Sequence, residues 1–198
     1  MDSDTHAFCT MIRARSDENR RAMYCFTNLH VVLSPAFSIL RQELDSMIRV
    51  IYLLQIADQN ERLRLIKSTL NGKKWKVPTS KGKQRDVTDR EMVDFAQQLQ
   101  GWTLSVYKFG CAFVHLSDFH NHLALDPFQK LLETERHDVL SHMRNYHGGP
   151  EHDHPSMVEI SGYLPRVFDK IADNLRCYVE HLEHGDSSCT WCPTRRSS

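Results

Sequence analysis

Arginine grips phosphate with a planar fork of donors, and histidine moves protons near neutral pH. Together they are the minimum kit for cutting RNA without a metal. The run Arg136-His-Asp-Val-Leu-Ser-His142 supplies both, with the histidine six residues after the arginine. The chain has twelve histidines, and chance alone gives roughly three such Arg-to-His intervals; Arg176 and His181 form another. Six residues of ideal helix turn through about 600°, which leaves the two side chains about 120° apart. A straight, isolated helix cannot close both on one phosphate; a broken helix or a second protomer can. The plain alternative is a surface arginine and a half-exposed histidine paired with carboxylates such as Glu133 and Asp138.

Were the pair active, His142 would take the proton from a ribose 2′-OH, or supply one to the leaving 5′ oxygen. Arg136 would hold the phosphate and stabilise charge developing on its oxygens. His137 is a candidate second proton-transfer group. The product would carry a 2′,3′-cyclic phosphate, and no cofactor would be needed. Lys73, Lys74 and Lys76, at the start of a basic loop that also holds Lys81, Lys83 and Arg85, are candidate RNA contacts together with Arg144. Lysine-rich loops are more often simply solvated. Near-matches blur the register. Arg144-Asn145 has no histidine at the right distance, since His152 is eight residues on, and Lys108 to His115 has the spacing with a cation that lacks the fork.

Two further groups carry donor chemistry. His181, His184, Cys189 and Cys192 pair two histidines on one helix face with a Cys-x-x-Cys knuckle, the donor set of a tetrahedral structural zinc. The competing reading is a frayed tail with incidental thiols. His115 and His122 are seven apart, hence stacked on one face, with Asp118 and Asp126 nearby. A metal-dependent hydrolase places ligands that way, although such histidines more often cap helices. Phosphate-binding glycine loops and nucleophile elbows do not occur, and no Glu-x-x-His pair suggests a di-iron bundle.

Helices must position all of this. Ser34-Pro35 starts one, with Phe37, Leu40, Leu44, Met47, Ile48, Ile51 and Leu54 on a single apolar face. A helix from near Ser16 to Leu33 precedes it, and Asn60 to Leu70 follows, ended by Asn71-Gly72. Thr88 and Glu91 form a capping box that opens a long helix through Met92, Phe95, Leu99, Trp102, Val106 and Phe109. Asp126-Pro127 opens the helix bearing Arg136 and His142, with Leu131, Leu132, Val139, Leu140 and Met143 inward. A second capping box, Ser156 to Glu159, leads into the last stripe, Leu164 to Leu182, which Gly185 ends. The expected fold is an all-α, antiparallel bundle of about five or six helices. Residues 1–15 read as an N-terminal extension, 16–184 as the bundle domain, and 185–198 as a polar tail with the Cys-x-x-Cys.

Net charge is zero, so the surface as a whole is no glove for nucleic acid. No apolar run approaches a membrane span, and Met1 to His6 does not read as a secretory signal. The six cysteines are scattered, with Cys25 and Cys111 in apolar helical stretches, which suits reduced thiols in a cytoplasmic protein without a disulfide framework.

The apolar helix Ile39 to Leu54, a long middle helix, and Arg136-His-Asp-Val-Leu-Ser-His142 ahead of a final helix resemble the HEPN superfamily of small α-helical toxins, abortive-infection proteins and RNA-processing enzymes. His137 fits the polar slot after the arginine, and Ser141-His142 resembles the family's small-residue-plus-histidine ending. The resemblance spans about residues 20 to 184, and its one sharp motif is those seven residues. It implies an endoribonuclease of toxin or antiphage-defence type acting on RNA, a site built across a homodimer, and an antitoxin or sensor as partner. The alternative is a non-catalytic helical module that binds RNA or a protein, with a zinc-tied tail.

Overall fold

The stripe from Phe37 to Leu54 becomes the central helix of the molecule. The computed structural model describes residues 2–27, 33–79, 82–99, 101–114, 126, 128–129 and 131–185. In chain order these form α1 (Ser3–Thr27), α2 (Leu33–Gln55), α3 (Gln59–Leu70), β1 (Lys76–Pro78), β2 (Gln84–Asp86), α4 (Asp89–Leu99), α5 (Thr103–Val114), α6 (Glu133–His147), α7 (Met157–Ser161) and α8 (Leu164–His184). The all-helical expectation holds except for the β1–β2 hairpin.

All seven apolar residues of the α2 stripe are buried, and α2 packs against α8, α5, α1 and α4. α1 lies along α8. Arg13 meets Glu183 through two bonds of 2.6 and 2.5 Å, and Arg20 meets Asp169 at 2.6 Å. Rising residue numbers on α1 thus meet falling numbers on α8, so these two helices are antiparallel. Phe168, Ile171, Leu175, Val179 and Leu182 form the buried face of α8, with Pro165 in its first turn and Gly185 ending it in the left-handed region.

Several expectations need correction. The first helix starts at Ser3, within the stretch read as an N-terminal extension, and buries Phe8, Cys9 and Ile12. Their polar neighbours masked this short buried face. Cys25 is exposed despite its apolar helical stretch, and Cys177 is disulfide-bonded rather than reduced. Scattered spacing carried no sign of that pairing, since only proximity in space permits a disulfide.

The long middle helix is two. The Gln97 side chain donates to the Gly101 carbonyl and accepts the Leu104 N–H at 2.7 Å, so it caps α5 and fixes the break. The basic loop is a hairpin with Lys76 opposite Asp86 and Pro78 opposite Gln84. α6 begins at Glu133 rather than at Asp126-Pro127, which leaves Leu132 exposed. Asp126 instead takes the Phe128 N–H on its side chain at 2.8 Å, and a turn results. Both capping boxes form as expected, although the second opens a helix of only five residues.

Candidate functional site

α6 carries the Arg136 to His142 run on two faces, and each face meets different neighbours. Arg136 points into a polar cluster. Its Nη1 lies 2.9 Å from Asp126 Oδ2 and donates to the Asp153 carbonyl at 3.2 Å. The same nitrogen is 2.5 Å from His154 Nδ1, which is itself 2.9 Å from Asp126 Oδ2. Arg144, about two turns further along, donates Nε to the Pro150 carbonyl at 2.8 Å and Nη2 to Asp153 at 2.7 Å. His137 lies 3.4 Å from Ser141 Oγ, and its charge, behind those of Arg144 and His154, helps hold the Asp153 carboxyl below its usual range; the Arg144 hydrogen bond is the main cause.

Two devices hold this cluster in place. Gly148 ends α6 in the left-handed region, and the Ser156–Glu159 capping box fixes the far end of the 151–156 segment. The Nδ1 atom of His154 can serve one partner at a time. As a donor it bonds Asp126 and leaves Nε2 with a lone pair; as an acceptor from Arg136 it leaves the proton on Nε2. The His154 side chain is 74% exposed, and Nε2 has no hydrogen bond among the described residues. It is therefore open to a ligand as a base in one tautomer and as an acid in the other.

His142 faces the opposite way. Its ring lies 4.6 Å from Tyr146, 6.1 Å from Trp102 and 5.9 Å from His147, centroid to centroid. It lines a cavity of about 510 Å³ walled by α2, α5, α6, α7 and α8 together with the turns at Trp102 and Phe128. Burial, with His147 and Lys170 nearby, pushes the His142 imidazole down to about 4. The same burial, with Lys170 and Arg166, lowers His147. Burial also lowers Lys170, with Asp173 in opposition.

The structure thus brings Arg136, His137 and Arg144 around one cluster and leaves His142 outside it. Within a single chain, Arg136 and His142 do not meet. Lys73, Lys74 and Lys76 are exposed on the hairpin side, where Lys74 lies 3.9 Å from Asp86. No hydrogen bond or ion pair joins the hairpin to α6 among the described residues. His181 and His184 sit in the last turn of α8, and His184 Nδ1 is 2.6 Å from the Glu180 carbonyl. Cys189 and Cys192 lie outside the described residues, as do His115 and His122. Among the described residues no group of three potential metal ligands gathers, and no helix is long and apolar enough to cross a membrane.

Sequence reasoning read His152-Asp-His154 as solvated loop and Asp126 as a helix start, and so missed their meeting at Arg136. Both stand in turns flanked by proline, and periodicity has no purchase there. The clue available was composition, an Asp-Pro and a His-Asp-His-Pro bracketing an arginine-bearing helix. Compared with known proteins, the chain matches no family model, no curated protein and no solved structure.

Proposed function

We propose that the chain is a metal-independent endoribonuclease of toxin or antiphage-defence type, with its cut made at the cluster of Arg136, Arg144, His154 and His137. The observation that carries this reading is the convergence of Asp126 and Arg136 on His154. When Nδ1 donates to Asp126 rather than accepting from Arg136, the aspartate holds the tautomer in which Nε2 is the base and stabilises the imidazolium formed on proton uptake. An arginine beside it supplies a phosphate grip. Nη2 of Arg136 and Nη1 of Arg144 have no hydrogen bond among the described residues and are free to hold phosphate oxygens.

In the proposed reaction His154 Nε2 takes the 2′-OH proton and O2′ attacks phosphorus. The bond to the 5′ oxygen breaks as His137 delivers a proton to it. The products are a 2′,3′-cyclic phosphate and a 5′-hydroxyl. In this scheme His154 takes the role that the HEPN-like spacing assigns to His142. A homodimer that delivers His142 from a second protomer to Arg136 is the competing geometry for the same chemistry.

Total cellular RNA incubated with purified protein in EDTA tests the reading. Wild type is expected to cleave and to leave cyclic-phosphate ends. His154→Ala and Arg136→Lys are expected to lose at least about a hundredfold, the usual yield of a positioned acid–base group, while His142→Ala retains activity. Loss in His142→Ala with His154→Ala intact would move the site to a dimer interface. No cleavage by wild type would discard the nuclease and leave a non-catalytic helical module.

A further inference from the structure

The cavity beside α6 joins a hydrocarbon wall to an unmatched basic end. Phe37, Leu40, Trp102, Val139, Met143 and Leu164 supply apolar surface. Lys170 and the rings of His142 and His147 line the same space. Among the described residues, none of these three basic groups has a hydrogen bond or ion pair with a carboxylate. Two carboxylates also face the cavity. Glu135 is engaged by Lys108 at 2.7 Å, and Asp138 is exposed on α6.

Bringing three basic side chains together away from water costs free energy unless an anion completes the set. Burial displaces all three groups toward their neutral forms, and no carboxylate among the described residues bonds them. A volume of about 510 Å³ lies within the roughly 300–1,000 Å³ range of small-molecule sites.

We propose that this cavity binds an amphipathic carboxylate, a hydrocarbon body with one anionic end, the carboxylate held by Lys170, His142 and His147. One lysine and two imidazoles match a single negative charge better than a phosphate dianion, because only the lysine brings a full charge while the rings contribute N–H donors. The apolar walls exclude a compact polar anion, which would leave them wet. The inference does not depend on the nuclease reading, since Arg136 and His154 belong to the cluster on the other side of α6.

Calorimetric titration of the intact chain with decanoate, and separately with decanol, tests it. Decanoate is expected to saturate one site per chain below millimolar concentration, with decanol at least about tenfold weaker, the scale of one charge-assisted hydrogen bond. Lys170→Met is expected to weaken decanoate about tenfold or more, to the level of decanol, without changing decanol binding. Unchanged decanol binding shows that the cavity of the variant is still formed. Lys170→Arg is expected to keep decanoate affinity within about threefold. Ring resonances of His142 and His147 should move on decanoate addition. Equal affinity for decanoate and decanol, no saturable decanoate binding, indifference to Lys170→Met, or unmoved histidine resonances would each overturn the proposal.

Discussion

His142 and His154 are the same residue type placed in opposite settings, one within a largely apolar cavity and one on a wet rim. The first setting makes a prediction about pH. The His142 ring is held down to about 4, against an ordinary 6.5, so between those values the folded chain binds fewer protons than the unfolded one. Falling pH therefore favours unfolding across that window. The stabilising contribution of keeping His142 neutral is fully present above pH 6.5 and is lost as pH drops toward 4. Urea midpoints measured from pH 7 to 4 should fall for wild type and fall less steeply for His142→Gln. An NMR titration midpoint for this ring at 6 or above would show that water reaches it freely. The sequence singles out Arg136 by its spacing from His142. Its partners were not legible, because Asp126 and His154 approach it from turns on either side of α6, and no helical period links them.

Elements were legible where burial follows one period without interruption. α2 and α8 each bury a continuous stripe, and both appear where that stripe predicts. Legibility failed where a single side chain or a tertiary contact sets a boundary, as Gln97 does between α4 and α5. The turn after α6 is set by backbone conformation, and it makes the element-scale prediction. Gly149 has φ +150, and a Cβ there would collide with the Tyr163 hydroxyl and lie 3.1 Å from its ring carbon Cζ. Gly148 has φ +79, but its Cβ would meet only the end of the flexible Arg166 side chain, at 3.2 Å. Gly149→Ala should therefore cost about 2–3 kcal/mol, combining backbone strain with the clash. Gly148→Ala should cost about 1 kcal/mol from backbone conformation. Urea denaturation of the two variants measures the difference. Equal losses would mean that the Tyr163 contact gives way at no cost. Since this turn leads into residues 151–156, Gly149→Ala should also lower any activity that depends on His154.

At the scale of the whole molecule, α1 is fastened along α8. Its early residues read as an extension because polar side chains surround Phe8, Cys9 and Ile12, and the pattern reveals their burial only when α8 is set against them. Two kinds of contact share the work unequally. The Arg13–Glu183 pair has good geometry, but its side chains are 39% and 18% exposed. Solvent screening limits such a pair to about 1 kcal/mol or less. Phe8 is fully buried, and its truncation to alanine should cost about 3–5 kcal/mol through lost transfer energy and a residual cavity. The adjacent Cys9 provides a reporter. Burial, with Glu183 next in effect, raises its thiol to about 12, so in the folded chain it should resist a maleimide that labels exposed Cys25 at once. Labelling of Cys9 then requires α1 to lift from α8. Its rate should rise at least about a hundredfold in Phe8→Ala, the factor that roughly 3 kcal/mol implies. In Arg13→Ala the rise should be no more than about fivefold. Equal acceleration in the two variants would mean that the ion pair, rather than apolar burial, fastens α1. Rapid Cys9 labelling in wild type would mean that α1 is not fastened to α8.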